Sequence, residues 1–157
     1  MSNAMEPGTQ MPALGFADAD GKPRKLTDFV GKPCVVYFYP KADTPGCTSE
    51  AKDFSALAPD FAAARSVVVG ISRDTPGKLA KFRDKYGLSV ILGADSDGSV
   101  TEGFGVWIEK SMYGRAYMGI ERATFLFAAD GELARVWHGV KVKGHAAEVL
   151  AAVKALG

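Results

Sequence analysis

Short runs of consecutive apolar residues alternate along the chain with segments in which apolar residues recur at helical spacing. Uninterrupted apolar runs are typical of strands that are covered on both faces of a sheet. They predict four core strands, at residues 33–39, 67–71, 90–92 and 124–127. A fifth strand at 133–137 is expected to pair with the last of these as a hairpin, because Asp130 and Gly131 favour a tight turn.

Helices are predicted between the strands, where apolar residues recur with a period near 3.6. Their predicted bounds are 46–57, 60–65, 75–86, 98–104 and 146–156. Residues 16–24 predict an N-terminal β-hairpin around an Asp-Gly turn, whereas residues 106–121 are expected to form a long loop. The order of these elements indicates an α/β fold with a central mixed β-sheet flanked by helices.

Composition and charge exclude several classes of protein. The chain has 157 residues and a formal net charge of +1, which argues against nucleic acid or a membrane surface as a partner. No apolar run approaches the roughly 18 residues that a membrane-spanning helix needs, and no signal peptide is recognisable. Residues 1–4 are interpreted as an expression scar, and residues 5–157 are expected to form a single domain.

The number and spacing of the cysteines and histidines argue against a disulfide framework and a metal site. Two cysteines, Cys34 and Cys47, are too few for the disulfide framework of a secreted protein, so a cytoplasmic location is expected. His138 and His145 share no short spacing with a cysteine or a carboxylate pair. No metal site and no cofactor are therefore expected, and both histidines are interpreted as surface residues.

Cys47 lies where the strand at 33–39 has ended and the helix at 46–57 begins. The first turn of a helix presents unpaired backbone N–H groups and the positive end of the peptide dipoles. A thiol at that place can ionise more readily than free cysteine, and the thiolate is the nucleophilic form. The sequence therefore indicates a reactive cysteine, with a packed structural cysteine as the alternative.

Three neighbours of Cys47 support the same interpretation. Pro40 ends the strand and stiffens the turn, and Gly46 allows the backbone to come close to a substrate. Thr44 supplies a hydroxyl that is expected to donate to the thiolate or to a substrate oxygen. The N–H groups that follow Gly46 can hold a developing negative charge.

The chain resembles the peroxiredoxins, and more narrowly the bacterioferritin-comigratory or peroxiredoxin Q subfamily. The residues that carry the resemblance are YFYPKA at 37–42, TPGCT at 44–48, FGVW at 104–107, EKS at 109–111, GIER at 119–122, and the pairs at 125–126 and 130–131. They appear in the expected order, from about Gly15 to the C-terminus. The resemblance implies a thioredoxin-like fold and a thiol-dependent peroxidase that reduces hydrogen peroxide and organic hydroperoxides.

The resemblance also implies the residues of the site. Cys47 matches the cysteine that attacks the peroxide and becomes a sulfenic acid, and Thr44 and Arg122 match the residues that complete the site. A guanidinium near the sulfur favours the thiolate and donates to peroxide oxygens. Glu50 is expected to pair with Arg122 and orient it, a solvated carboxylate in the first helical turn being the alternative.

Four further residues near these motifs are assigned no chemical role. Tyr39 and Trp107 are interpreted as pocket wall or core because both are large aromatic residues beside the motifs. Lys41 and Asp43 are interpreted as solvated charges of the loop that precedes Cys47.

The chain departs from the subfamily in its second thiol. Many members carry a resolving cysteine five residues after the first, where this chain has Lys52, or on the next helix, which has no cysteine here. Cys34 is about 16 Å from the catalytic end of its strand, whereas a disulfide needs Cα atoms within about 7 Å. The sequence therefore predicts no resolving cysteine, a buried Cys34, and reduction of Cys47 by an external thiol such as a small thiol, thioredoxin or glutaredoxin.

Two other functions remain open at this point. A non-enzymatic peroxide sensor would use the same sulfur chemistry and pass its oxidation to another protein. A thiol-disulfide oxidoreductase is disfavoured because Thr44 stands where the second cysteine of a Cys-x-x-Cys motif would be, and Ala123 stands where a proline is expected. The resemblance favours a monomer over a dimer.

Overall fold

The computed structural model describes residues 5–156, so the interpretation of residues 1–4 as an expression scar lies outside it. The strands in that range are β1 Gly15–Asp18, β2 Pro23–Lys25, β3 Cys34–Phe38, β4 Val67–Ser72, β5 Ile91–Ala94, β6 Trp107–Met112, β7 Arg115–Ile120, β8 Ala123–Phe127 and β9 Leu133–Trp137. The helices are α1 Pro45–Ala56, α2 Ala58–Ala63, α3 Pro76–Tyr86, α4 Ser99–Gly103 and α5 His145–Ala155, with a 3-10 helix at Leu26–Phe29. None of the described helices is long and apolar enough to cross a membrane.

Seven strands form one sheet in the order β2-β1-β5-β4-β3-β8-β9. The central pairs β3–β4 and β4–β5 are parallel, whereas β1, β2, β8 and β9 pair antiparallel to their neighbours. The central mixed sheet and the N-terminal hairpin predicted from the sequence are therefore confirmed. Parallel neighbours require crossover connections, and the helices between the strands supply them.

Apolar side chains cover both faces of the sheet because successive residues of a strand point to opposite faces. In β3, Val35 and Tyr37 belong to a core cluster that also contains Cys47 and the buried apolar residues of α1, α2, α3 and α5. Cys34 and Val36 belong to a second cluster, which packs against α4 and the N-terminal segment. This alternation explains why β3 is apolar at consecutive positions.

The candidate site lies at the carboxyl ends of the parallel strands, where open α/β sheets bind their ligands. Tyr39 extends the pairing beyond β3 through a 3.2 Å bond from its N–H to the Ile71 carbonyl. The chain then turns, and α1 begins after Thr44, which is extended with φ of −94° and ψ of 157°. Pro45 in the first turn suits this start because it has no N–H to leave unpaired.

The predicted long loop at 106–121 is wrong, because β6 and β7 form a two-stranded antiparallel ribbon outside the main sheet. The turn consists of Tyr113 and Gly114, both with positive φ (53° and 77°). A tyrosine is an unusual residue at positive φ, so no turn was predicted at this position. Most of the outer ribbon is exposed, so its strands lack the apolar face by which the other strands were recognised.

The interpretation of His145 as a surface residue is also wrong. His145 opens α5, is only 5% exposed, and lies 2.7 Å from the Thr124 hydroxyl through Nε2. Trp137 and Phe54 contact its ring edge to face. The sequence around His145 gives no sign of this partner, because Thr124 lies on β8, 21 residues earlier in the chain.

Candidate active site

Cys47 occupies the third position of α1, and its side chain is nearly fully buried, with 2% of the residue exposed. The first backbone bond of the helix runs from Thr48 N–H to the Thr44 carbonyl at 2.8 Å. The N–H groups of Gly46 and Cys47 precede it and have no carbonyl one turn back within the helix. They lie beside the sulfur and give this end of the helix a partial positive charge.

Arg122 contacts the sulfur of Cys47 through its guanidinium. Its Nη2 donates to Cys47 Sγ at 3.4 Å. The position follows from the sheet register, since β8 lies next to β3 and pairs Ala123 with Phe38. Arg122 therefore stands just before β8 at the edge of the sheet where β3 ends, and its carbonyl accepts a 2.9 Å bond from Val140 N–H.

Glu50 is the third ionisable group of the site, after Cys47 and Arg122. It lies one turn after Cys47 on α1, and its Oε1 accepts a 2.6 Å bond from Arg122 Nη1. The residue is 1% exposed, so the solvated carboxylate considered from the sequence is wrong. Its Oε2 is buried and has no hydrogen-bond partner among residues 5–156.

Burial raises the pKa of Glu50 to about 7, although attraction to Arg122 acts in the opposite direction. Removing a carboxylate from water disfavours its charged form, and here this effect exceeds the stabilisation by one guanidinium. Burial also lowers the pKa of Arg122, but Glu50 and Cys47 raise it by more, so the guanidinium keeps its charge. The site therefore holds a permanent cation beside the sulfur.

The Thr44 hydroxyl donates its hydrogen bond to the backbone. It donates to the Lys41 carbonyl at 2.8 Å. A donor to the thiolate or the substrate was predicted at Thr44, but this hydroxyl has one proton, and the Lys41 carbonyl accepts it. The oxygen of the Thr44 hydroxyl can still accept a hydrogen bond, and the O–H of a peroxide is a suitable donor.

Gly46 lies against the Arg122 guanidinium. A Cβ atom at position 46 would lie 3.2 Å from Arg122 Nη2, tighter than ordinary van der Waals contact. Gly46 was predicted from the sequence to make room for a substrate. The structure shows that it makes room for the guanidinium that contacts Cys47.

The remaining predicted site residues lie in different places. Pro40 is exposed in the turn after β3. Tyr39 is buried in the cluster that contains Cys47, and burial raises the pKa of its phenol. Trp107 borders the other cluster, and its ring stacks 3.5 Å from the centre of the Arg73 guanidinium. The structure therefore does not group Trp107 with Cys47.

Two aspartates that hold the loop before Cys47 were missed. Asp74 Oδ2 accepts from Ala42 N–H at 2.8 Å and from the Ser72 hydroxyl at 2.7 Å. Asp43, interpreted as a solvated charge, accepts from the hydroxyl of Tyr86 and the ammonium of Lys85. The position of Asp74 two residues after β4 was a usable signal, since parallel neighbours such as β3 and β4 end on the same side of the sheet.

Cys34 is remote from this chemistry. It is 1% exposed, and burial raises the pKa of its thiol to about 12. Its side chain belongs to the core cluster on the opposite face of the sheet from Cys47. Within residues 5–156, no group of three or more His, Cys, Asp or Glu side chains is placed to hold a metal ion.

Comparison with known proteins gives one consistent result. The model of the AhpC/TSA family matches residues 7–136. Peroxiredoxin Bcp of Bacillus subtilis is 43% identical over 150 residues, which cover 96% of this chain and 96% of that protein. Peroxiredoxin Bcp of Escherichia coli is 43% identical over 143 residues, covering 91% of this chain and 92% of that protein.

Solved structures agree with the sequence relatives. A structure of the bacterioferritin comigratory protein of Xanthomonas campestris, from work on its alkyl peroxide reduction activity, superimposes with a TM-score of 0.90 at 40% identity. It covers 96% of this chain and 99% of that chain. The thioredoxin-like fold predicted from the sequence is therefore confirmed.

Replacing Gly46 by alanine should slow the oxidation of Cys47 by peroxide. The added methyl group would push the Arg122 guanidinium away from the sulfur, and a displacement of this kind is expected to lower the rate by about tenfold or more. Gly77→Ala is the matched control, because Gly77 also follows a proline in the first turn of a helix and a Cβ there meets nothing within 4 Å. Equal rates in the two variants, measured by stopped-flow oxidation, would contradict this account of Gly46.

Replacing Glu50 by glutamine should stabilise the protein relative to the wild type as the pH rises from 4.5 to about 7. In that window the folded protein keeps a proton on Glu50 that the unfolded chain has lost, so the wild type loses stability as the pH rises. At about 1.4 kcal/mol per pKa unit, the difference should grow by roughly 2 to 3 kcal/mol.

Urea unfolding at several pH values measures this difference, with Asp60→Asn as a control because Asp60 is an exposed carboxylate of α2. The control should follow the pH dependence of the wild type. A difference between Glu50→Gln and the wild type that shrinks with rising pH would mean that attraction to Arg122 outweighs the burial of the carboxylate.

The family model, the relatives and the fold all agree with a thiol held beside a guanidinium at the start of a helix. The chain belongs to the AhpC/TSA family as a Bcp-type peroxiredoxin, a thiol-dependent peroxidase.

Proposed function

We propose that Cys47 is the peroxide-reducing nucleophile and that Arg122 and Thr44 orient the peroxide against it. The observation that carries the proposal is the placement of the Arg122 guanidinium, 3.4 Å from Cys47 Sγ and 2.6 Å from Glu50 Oε1. One cation is thereby fixed beside the sulfur by a second bond to a buried carboxylate. Such fixed charge requires no reorganisation when the reaction occurs.

The oxidation step transfers one oxygen atom to the sulfur. The Cys47 thiolate attacks the terminal oxygen of a hydroperoxide, the S–O bond forms, and the O–O bond breaks with its electron pair leaving on the other oxygen. Cys47 becomes a sulfenic acid, and the leaving oxygen takes a proton to give water or an alcohol. Sulfur is oxidised by two electrons and the peroxide is reduced by two.

Each neighbouring group has a defined part in this step. The Thr44 oxygen accepts the O–H of the incoming peroxide, because its own proton is bound to the Lys41 carbonyl. The Arg122 guanidinium stabilises the charge that moves from the sulfur to the leaving oxygen. Pro40 and Gly46 shape the turn around the sulfur, and Glu50 orients Arg122. We assign Tyr39 to the buried wall behind Cys47, whereas the assignment of Trp107 to the pocket receives no support from its contacts.

The sulfenic acid has to be reduced by a thiol from outside the chain. Cys34 lies on the other face of the sheet and keeps its proton at neutral pH, because burial raises its pKa to about 12. An external thiol attacks the oxidised sulfur, water leaves, and a mixed disulfide forms. A second thiol then releases Cys47 and yields the external disulfide. A small thiol, thioredoxin or glutaredoxin supplies these thiols in our proposal.

A reducing compartment such as the cytoplasm suits this mechanism, since every turnover consumes two external thiols. A monomer suits it as well, because Cys47, Arg122 and Glu50 come from one chain and their contacts need no second copy. Peroxide and thiol are therefore the proposed partners.

A peroxide sensor is the second candidate function. It is favoured by the separation of the two cysteines, since a sulfenic acid without an internal resolving thiol persists long enough to be passed to another protein. Sensor and enzyme share the oxidation step and differ in turnover. A thiol-disulfide oxidoreductase is not supported, because Cys34 lies across the sheet from Cys47.

Turnover distinguishes the enzyme from the sensor. We expect peroxide loss to continue beyond one equivalent per chain with at least one reductant in a panel of small thiols, thioredoxin and glutaredoxin, and to disappear in Cys47→Ser. Arg122→Ala should lower the rate constant of Cys47 oxidation by about 100- to 1000-fold, because a fixed donor to developing charge is lost.

Arg135→Ala is the control for the loss of a positive charge, because Arg135 is exposed on β9 and pairs with Glu148. Cys47 of the Arg135→Ala variant should be oxidised at the wild-type rate. Peroxide loss that stops at one equivalent per chain with every reductant would contradict the enzyme hypothesis and support the sensor hypothesis.

Intact mass spectrometry tests the one-cysteine mechanism. After one equivalent of peroxide without added thiol, the wild type and Cys34→Ser should both gain one oxygen atom, because neither forms an internal disulfide. Cys34→Ser should also keep the wild-type rate of oxidation. Loss of two hydrogen atoms from the wild type would show an internal disulfide and would contradict the proposed route of reduction.

A further inference from the structure

Asp43 has a left-handed backbone conformation directly before Thr44, with φ of 63°. Aspartate tolerates this region better than most residues, but it populates it sparsely. Thr44 then returns to an extended conformation and caps the start of α1. The backbone conformation of Asp43 therefore helps to set where the Thr44 hydroxyl lies. A rare conformation of this kind persists only when contacts around the residue hold it.

Two side chains at the end of α3 hold Asp43. Its Oδ1 accepts a 2.5 Å bond from the Tyr86 hydroxyl, and its Oδ2 accepts a 2.9 Å bond from Lys85 Nζ. Both oxygens of the carboxylate are thereby bonded to a helix that lies more than 30 residues further along the chain. A hydroxyl that donates to a carboxylate at this distance makes a short, charge-assisted hydrogen bond.

Tyr86 is the firmer of these two anchors. Its ring packs against the core cluster that contains Cys47, and it meets the ring of Phe82 edge to face, with centroids 5.7 Å apart. The side chain of Lys85 is 58% exposed, and ion pairs of exposed lysines contribute little to stability. The hydroxyl of Tyr86 is therefore a fixed point against which Asp43 is held.

The loop around Asp43 has separate anchors on either side. Ala42 N–H donates to Asp74 at 2.8 Å, and the Thr44 hydroxyl donates to the Lys41 carbonyl at 2.8 Å. If Asp43 lost its bonds to α3, Ala42 would stay anchored and Asp43 could relax to a negative φ. The resulting displacement would fall on the next residue, Thr44.

We propose that Tyr86 is a positioning residue of the peroxide reaction, which through Asp43 holds the Thr44 hydroxyl oxygen where it accepts the O–H of the peroxide. This inference rests on the proposed function, in which Thr44 has that part. Tyr86 acts through Asp43 and forms no bond to the reacting atoms.

The first test is Tyr86→Phe, which keeps the packed ring and removes only the hydroxyl. Its rate constant for Cys47 oxidation by hydrogen peroxide, measured by stopped flow, should fall by about tenfold, because small displacements of an orienting group are costly. The rate of Cys47 alkylation by iodoacetamide should stay unchanged, since that reagent has no O–H for Thr44 to accept. Tyr113→Phe is the matched control, because Tyr113 is 98% exposed on the outer ribbon, and it should be oxidised at the wild-type rate.

The second test combines Tyr86→Phe with Thr44→Val. Thr44→Val removes the acceptor oxygen and should slow oxidation by itself. Adding Tyr86→Phe to Thr44→Val should slow it no further, because the two changes act through the same group and are not additive. Melting curves verify that every variant is folded.

The outcomes separate this inference from the proposed function. Three results would overturn the role of Tyr86 and leave that of Thr44 intact: a wild-type rate in Tyr86→Phe, an equal loss of the alkylation rate, or a full effect of Tyr86→Phe in the Thr44→Val background. If Thr44→Val is itself oxidised at the wild-type rate, the proposed part of Thr44 fails, and the role of Tyr86 fails with it.

Discussion

The contact of one guanidinium with both a sulfur and a buried carboxylate is the constraint on which the site depends. Arg122 can make it only because β8 lies beside β3, which brings the residue before β8 to the edge where β3 ends. Gly46 leaves the space that the guanidinium fills. The arrangement of the sheet, the start of α1 and the identity of one glycine therefore all serve the same interaction.

The burial of a charged group is the second constraint on the site. Burial raises the pKa of Glu50 to about 7, so its ionised form depends on Arg122 and is destabilising relative to its neutral form. The one cation in contact with the sulfur is therefore Arg122, whose guanidinium is held by its bond to Glu50.

The fold was predictable where local patterns and burial agree. Consecutive apolar residues marked the core strands, and the helix predicted at 75–86 is observed as α3 at Pro76–Tyr86. The ribbon of β6 and β7 was missed because its strands pair mainly with each other and its turn uses Tyr113 at positive φ. Its stability comes from backbone pairing, which leaves little trace in the pattern of apolar residues.

The sequence by itself determined that Cys47 stands at the start of a helix after a buried strand, because both features are local. The resemblance to known motifs added Arg122, but nothing in the residues around Arg122 places it near the sulfur. The tertiary structure decided that Glu50 is buried against Arg122 and not solvated, that Arg122 also contacts Cys47, and that Asp74 anchors the loop at Ala42. These contacts join residues 32 to 75 positions apart in the chain, and only strand pairing and burial bring them within bonding distance.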